Sequence, residues 1–546
     1  MGNTWTQVYN PLGSIGLSAL VAAIPLFILL YMLGIRRSKG HHAAFCGTAS
    51  AVILAILVWG MPAGLAINAT VMGMAFGIFP IVWIVISGLW IYNMTVESGQ
   101  FEVIKSSLAT ITDDRRLQAL FIAFAFGAFI EGTAGFGTPV AITAAMLVGV
   151  GFEPVYAAGI CLLANTAPVA FGSIGIPIVT AAQVTSLDMM KLSQIVGRQL
   201  PLLSVIVPLW LVVWMCGWKR SMEVLPAVLV AGFCFAITQF LTSNFHGPLL
   251  PDILSAMISI VGLLLFLRVW QPSQIWHFPH EKPAARGAAA SRYSAGEVLR
   301  AWSPYIIMAI FVLLWGTVPV KNFLNSIFAP TFLWPGLHNV VIRTAPIVAK
   351  DTPYAAPYVF NLLSAAGTCV FFGGLLAVLA IPNYGYGRAF ACFGATIKKL
   401  VYPIITISLV LGLAYIMNYA GMSATLGLAF ASTGALFPFF SPILGWLGVF
   451  LSGSDTSSNA LFGNLQKTTA EQIGVDPNLM VAANSTGGVT GKMISPQSIS
   501  VATAATGMVG QEGAIFRVTL GHSIAMCLVI AVLTFLQAYV LSWMLP

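Results

Sequence analysis

Apolar runs long enough to cross a bilayer recur along nearly the whole chain. They predict spans at about residues 11–34, 43–62, 64–95, 153–184, 201–217, 224–241, 252–268, 301–318, 360–381, 399–420, 478–508 and 518–544. Two of these, 153–184 and 478–508, carry Gly, Pro and polar residues in mid-run and read as broken helices. Two further apolar stretches, 117–149 and 440–468, do not fit as crossings. Counting each as one span would reverse the side on which the following Lys and Arg residues fall. Re-entrant hairpins resolve the conflict, with the Gly-rich and Ser-rich turns 131–138 and 452–459 at their tips. Arg36, Arg37, Lys39, Lys105, Arg115, Arg116, Lys219, Arg220, the segment Arg268 to Arg300, Arg388, Lys398 and Lys399 then share one side, the cytoplasmic one by the positive-inside rule. Lys191, Arg198, Lys321, Arg343 and Lys350 are exceptions on the outer side, where both chain ends also fall.

The polar interruptions come as a matched pair about 320 residues apart. The first is Glu131-Gly-Thr-Ala-Gly-Phe-Gly-Thr-Pro139 followed by Asn165-Thr-Ala-Pro-Val-Ala-Phe-Gly-Ser-Ile-Gly-Ile-Pro177. The second is Ser452-Gly-Ser-Asp-Thr-Ser-Ser-Asn459 followed by Asn484-Ser-Thr-Gly-Gly-Val-Thr-Gly-Lys-Met-Ile-Ser-Pro496. In each, Asn and Pro are 12 apart and a Gly stands seven after the Asn, at Gly172 and Gly491. Pro80 to Gly99 likewise parallels Pro403 to Gly421. The first hairpin is entered from the cytoplasm and the second from outside, so the repeat reads as inverted, a pattern that places a transporter's site at the interruptions. The expectation is an all-α polytopic membrane protein of about twelve transmembrane helices plus two re-entrant hairpins in an inverted repeat. It divides into an N-terminal half, 1–268, a basic cytoplasmic linker, 269–300, and a C-terminal half, 301–546. The proline-punctuated outer loop 319–358 has no evident role.

Composition agrees: 58% of the 546 residues are hydrophobic and 7% charged, far below the roughly 25% of soluble proteins. The net charge of +8 sits in short loops beside apolar runs, so it sets topology and is no nucleic-acid signal. The first ten residues carry no positive side chain, so the run after them is a span and not a cleaved leader. Gly2 and Thr6 fit a myristoylation pattern only formally, since that end lies outside. The seven cysteines are scattered without metal spacing or evident disulfide pairing, and no metal or other cofactor is expected. Gly488-Val-Thr-Gly-Lys492 lacks the leading Gly and trailing hydroxyl of a phosphate loop, and Gly132, Gly135 and Gly137 lack dinucleotide spacing. His277 and His280 in the linker have no further metal ligands and read as solvated.

Three ionisable residues fall at membrane depth inside the motifs: Glu131, Asp455 and Lys492. Such residues pair or line a pathway, since a charge at mid-bilayer costs at least roughly 2.5–3.5 kcal/mol. Glu131 has no partner nearby in sequence and is the candidate proton carrier, with Asp455 as a second coupling candidate; a permanently protonated hairpin cap is the alternative for Glu131. Lys492 is the candidate partner of an anionic substrate, assisted by half-helix N-termini at the breaks. The alternative for Lys492 is a structural ion pair with Asp455. Thr133, Thr138, Asn165, Thr166, Ser454, Thr456, Ser457, Asn484, Ser485, Thr486 and Gln497 offer hydroxyls and amides, as do Ser173, Ser458, Asn459, Thr490 and Ser495, and a minority are expected to touch substrate. A Ser495–Lys492 nucleophilic pair would suit a hydrolase, a reading that the duplicated broken-helix pattern opposes.

The motifs resemble those of the bacterial L-lactate permease family, from Thr4-Trp-Thr-Gln-Val-Tyr-Asn-Pro11 through the segments 131–143, 165–172, 453–461 and 486–497 to Leu536-Gln-Ala-Tyr539. The hairpins and broken helices are also similar to the broader ion-transporter superfamily. The resemblance implies proton-coupled import of L-lactate, with D-lactate and glycolate as further substrates, across the inner membrane. It implies a small 2-hydroxymonocarboxylate, a proton and the lipid bilayer as partners, no nucleic acid and no enzymatic activity. Sodium in place of the proton is the alternative, since hydroxyls and carbonyls at broken helices also suit that ion.

Overall fold

The computed structural model describes residues 4–36, 38–135, 137–278, 293–508 and 511–546. Gly2, Arg37, Phe136 and the linker residues 279–292, with His280 among them, lie outside the described residues. Eleven described helices are long and apolar enough to cross a membrane, twelve if the pair Pro154–Ala164 and Val169–Thr185, bent by 64°, counts as one span. Their apolar faces do not all turn inward: Leu57 is 76% and Val269 84% exposed, as suits helices whose surroundings are as apolar as leucine. All seven cysteines are free thiols.

Two helices outrun the spans read from hydropathy. The helix expected at 201–217 starts at Met189, where the Asp188 side chain accepts from Lys191 N at 2.8 Å, and after a kink at Gly217 (φ 77°) a further turn runs to Met222. The one expected at 399–420 begins at Tyr386 and carries Arg388, Lys398 and Lys399 on its first turns. Hydropathy sees only the apolar middle of such helices. The span expected at 360–381 is shorter, Ala366–Ala377 with a 3₁₀ turn Val378–Ala380, because the chain before it is committed to a strand at Pro357–Val359.

Both doubtful apolar stretches fold back on themselves. The first runs up through Arg115–Gln118, Ala119–Phe126 and Gly127–Thr133, turns, and returns as Thr138–Gly149. The second is Phe437–Ser452 and Asp455–Ile473. The turns need left-handed backbone, supplied by Gly135 (φ 57°) and Gly137 (φ 82°) in one and Gly453 (φ 71°) in the other. Although Arg115–Thr133 could cross by length alone, its apolar window is wholly buried, so it is an interior element without a lipid face. Its base is held by Arg116, which is 0% exposed and donates to Asp114, Glu223 and the carbonyls of Arg220 and Gln274.

Five short strands add a β cap to the helical body. Trp5–Thr6 pairs in parallel with Val341–Arg343, which pairs antiparallel with Thr352–Pro353, while Thr331–Leu333 pairs antiparallel with Pro357–Val359. The loop 319–358 thus has a fold. Gln7 Nε2 ties the cap down by donating to the carbonyls of Asn418 (2.9 Å) and Tyr419 (2.7 Å), and Asn68 Nδ2 donates to Pro335 O at 2.7 Å.

Small residues let the key helices touch. A Cβ on Gly445 would fall on the Asn484 carbonyl, one on Gly487 on the Pro442 carbonyl, and one on Gly491 on the Trp446 carbonyl, so the second hairpin and second broken helix meet backbone to backbone. Overpacking such a contact costs typically about 1–3 kcal/mol. Gly445→Ala is therefore expected to lower the unfolding midpoint in detergent by several degrees, whereas Gly394→Ala, where a methyl meets nothing within 4 Å, leaves it unchanged or raised. Equal midpoints for the two would contradict this packing.

Candidate functional site

The two hairpin tips and the two helix breaks converge on one place. Glu131 stands in the last turn of Gly127–Thr133, and Lys492 opens the 3₁₀ turn Lys492–Ile494 that interrupts Pro477–Gly491 and Pro496–Thr506. Lys492 Nζ donates to Glu131 Oε1 at 3.2 Å, with the two residues only 8% and 3% exposed. Glu131, which has no partner nearby in sequence, thus meets one 361 residues away, and the ion pair weighed as the alternative for Lys492 is made with Glu131 and not with Asp455. Asp455 instead sits at the start of Asp455–Ile473, accepting from the Ser485 hydroxyl and from Asn459 Nδ2 at 3.5 Å. Asn459 Nδ2 also donates to Pro177 O at 3.1 Å, tying the second hairpin to the first broken helix.

The first break is strained. After the turn Asn165–Pro168 and the short helix Val169–Phe171, Ser173 (φ 47°), Ile174 (φ 58°) and Gly175 (φ 72°) are all left-handed. For a β-branched residue this conformation is an outlier that packing must hold, at a cost of order 1–3 kcal/mol. The packing is visible: Ile174 Cδ1 lies against Gly88, and Gly175 against the Pro248 carbonyl. A Cβ on Gly172 would come 2.7 Å from Glu131 Oε1, so that glycine gives the carboxylate its room.

A cavity of about 710 Å³ opens beside this cluster. Glu131, Gly172, Ser173 and Pro177 line it from the first set of motifs, and Ser452 to Ser457, Lys492, Gln497 and Ser498 from the second. Its far wall is Ser38 to His41 with Tyr402, Pro403 and Thr406, where the His41 and Tyr402 rings stack 4.5 Å apart. A second cavity of about 380 Å³ lies under the β cap, lined by Gln183, Ser186, Tyr354, Tyr415 and Tyr419. Helix Gly172–Thr185 borders both, the first at Ser173 and Pro177 and the second from Ala182 onward.

Of the expected ligands, Glu131, Asp455, Lys492, Ser454, Thr456, Ser457 and Gln497 line the larger cavity. The others stand behind its wall. Thr133 donates to Phe129 O at 2.9 Å within its own helix, and Thr138 opens the return helix. Asn484 is held between Asn459 (2.9 Å) and Gln466 (3.1 Å), Ser485 serves Asp455, and Thr486 donates to Gln199 at 2.6 Å. Asn165 and Thr166 lie in the first break, with side-chain polar atoms that make no hydrogen bond among the described residues. Ser495 is a helix cap, accepting from Ser498 N at 3.2 Å and donating to Ser498 Oγ at 2.8 Å, so it and Lys492 form no nucleophilic pair. Two features escaped the sequence reading. One is the His41–Tyr402 wall, which carries no polar motif. The other is Asp252, a fully buried acid at the head of an apolar run, where the signal was a carboxylate inside a predicted span.

The cluster holds one lysine and two carboxylates against a cavity, and buried ionisable groups so placed in a membrane protein mark a functional site. The chain matches the L-lactate permease family over residues 18–541. It is 51% identical to glycolate permease GlcA of Escherichia coli (strain K12), covering 99% of both chains, and 50% identical to L-lactate permease of Salmonella typhimurium, covering 100% of both. Among solved structures it aligns with MtrF of Neisseria gonorrhoeae at 12% identity and a TM-score of 0.48, covering 87% of this chain and 84% of that one. The chain is a multi-pass membrane protein and belongs to the L-lactate permease family.

Proposed function

We propose that the protein imports L-lactate, with D-lactate and glycolate as further substrates, together with a proton by alternating access. The observation that carries this reading is the buried Glu131–Lys492 pair on the wall of the larger cavity. Lactate is anionic at neutral pH, its acid being close in strength to a carboxyl side chain. It needs a cation, and Lys492 is the buried cation at the hairpin tips and breaks, held until then by Glu131, whereas Lys39 on the far wall is exposed. A proton on Glu131 cancels that carboxylate and releases Lys492 to the incoming anion. Each ligand therefore favours the other, which is the thermodynamic content of symport. The helices that begin at Asp455 and Pro496 have their positive dipole ends at residues lining the cavity, and Ser454, Thr456, Ser457 and Gln497 offer partners for the 2-hydroxyl. Relatives named L-lactate permease and glycolate permease support the substrate class.

In this reading the larger cavity, walled by Ser38 to His41, faces the cytoplasm and the β cap covers the outer side of the bacterial inner membrane. Both chain ends are then outside, and the halves 1–268 and 301–546 rock about the cluster. The two cavities approach each other along Pro177 to Ala182, about 8 Å of helix, so a small shift there exchanges access. The test is uptake of labelled L-lactate into proteoliposomes at zero membrane potential, under an inward proton gradient or an inward sodium gradient. Uptake driven by protons alone is expected; a requirement for sodium would replace the proton by that ion.

A further inference from the structure

We propose that Asp252 is a second proton-carrying residue, exchanging the proton with Glu131 from behind the cavity wall; this rests on the proton-symport reading above. Asp252 stands in the first turn of Pro251–Val269, is 1% exposed, and neither carboxyl oxygen makes a hydrogen bond among the described residues. The head of that helix packs directly on the hairpin tip: a Cβ on Gly132 would lie 2.9 Å from Asp252 Cβ and 2.9 Å from Ile253 Cγ1. Glycine at 132 is what lets the two elements meet, and it brings Asp252 beside Glu131, its charged neighbour.

Among the described residues, the surroundings offer no balancing cation. Among the elements packed on this helix, Ala119–Phe126 is wholly apolar and Leu225–Phe245 presents Gln239. Gln239 accepts from Ser204 Oγ at 2.7 Å and donates to Ala167 O at 3.3 Å, which leaves one amide N–H toward Asp252 and no charge to balance it. Glu131 is the charged group that faces Asp252. A buried carboxyl with no cation among the described residues and a single amide as its neighbouring donor is costly as a fixed charge, and in membrane proteins such groups mark proton routes. A structural cap for this helix start would be served by Ser or Asn without that cost. Ser255, one turn further on the same face, is likewise buried with a hydroxyl that makes no hydrogen bond among the described residues, which extends the polar track along the helix.

Glu131 lines the cavity and Asp252 does not, so the two acids stand in series. The step is a plain proton transfer. The Asp252 carboxylic acid gives its proton to the Glu131 carboxylate, Asp252 becomes the carboxylate, and Lys492 is released to the anion; bulk water then returns a proton to Asp252.

The experiment compares two activities of Asp252→Asn in proteoliposomes: net L-lactate uptake driven by a proton gradient, and L-lactate exchange at equal concentrations on both sides, which moves no net proton. Net uptake is expected to fall at least 10-fold while exchange stays within twofold of wild type. Parallel loss of both would make Asp252 structural and overturn the proposal, as would full proton-driven uptake. Should Asp252→Asn not assemble, Asp252→Glu decides, since it keeps the acid: a shifted pH profile of net uptake with unmoved exchange is expected, and a wild-type profile would overturn the proposal. Failure of the underlying reading is distinct, because wild-type uptake itself would then follow sodium.

Discussion

Lys492→Gln is expected to abolish concentrative L-lactate uptake and to raise the concentration needed for half-maximal exchange by roughly 30- to 1,000-fold. Loss of a desolvated charge partner costs about 2–4 kcal/mol of anion binding, which gives that range. The single variant also leaves Glu131 buried without its cation, so less assembled protein is expected. Glu131→Gln behaves differently: Lys492 keeps its charge, exchange persists, and the proton gradient no longer drives accumulation. The double variant Glu131→Gln with Lys492→Gln removes both charges and is expected to recover assembly but not transport. Uptake kinetics and unfolding midpoints measured on all three variants separate the two roles of the pair. Wild-type lactate affinity in Lys492→Gln would remove this lysine from the site.

The second large effect is on stability. Arg116→Met is expected to cost about 3–5 kcal/mol, the range for breaking a buried ion pair by removing one partner. Arg116 donates to both oxygens of Asp114, at 3.0 and 2.7 Å, to Glu223 at 2.7 Å and to Gln274 O at 2.9 Å. Asp114 would keep the backbone N–H groups of residue 116 (2.9 Å) and Trp276 (3.0 Å) but lose the guanidinium that neutralises it. Arg116→Lys should not rescue, because one ammonium cannot reach these acceptors from a single position. Glu223, with a side chain 37% exposed, provides the contrast: Glu223→Gln should cost no more than about 1 kcal/mol. Unfolding midpoints in detergent check the order, and an Arg116→Met protein as stable as Glu223→Gln would refute it.

The hairpins and breaks were legible because glycine, proline and hydroxyl residues inside apolar runs have few other uses. Gly135, Gly137 and Gly453 do supply left-handed turns, and Pro496 does follow a break. The ion pair was not legible, since Glu131 and Lys492 are 361 residues apart and nothing local to either names the other. Asn484 and Thr486 read as ligands because sequence reveals polarity but not satisfaction; Asn459, Gln466 and Gln199 consume their hydrogen bonds. The β cap was invisible for a third reason. Its strands are two or three residues long, too short for any alternation to register, and their pairing is fixed by partners as distant as Trp5 and Val341.

That last pairing constrains how the protein is made. Trp5 and Thr6 emerge from the ribosome long before their strand partners, Val341 and Ile342, which follow more than 330 residues later. At roughly 5–20 residues per second the wait is on the order of 17 to 70 seconds. Through that interval the early segment has no strand to join, and Gln7 has no carbonyl at Asn418 or Tyr419 to hold. The cap therefore closes only after the helices between Thr6 and Val341 have been synthesised.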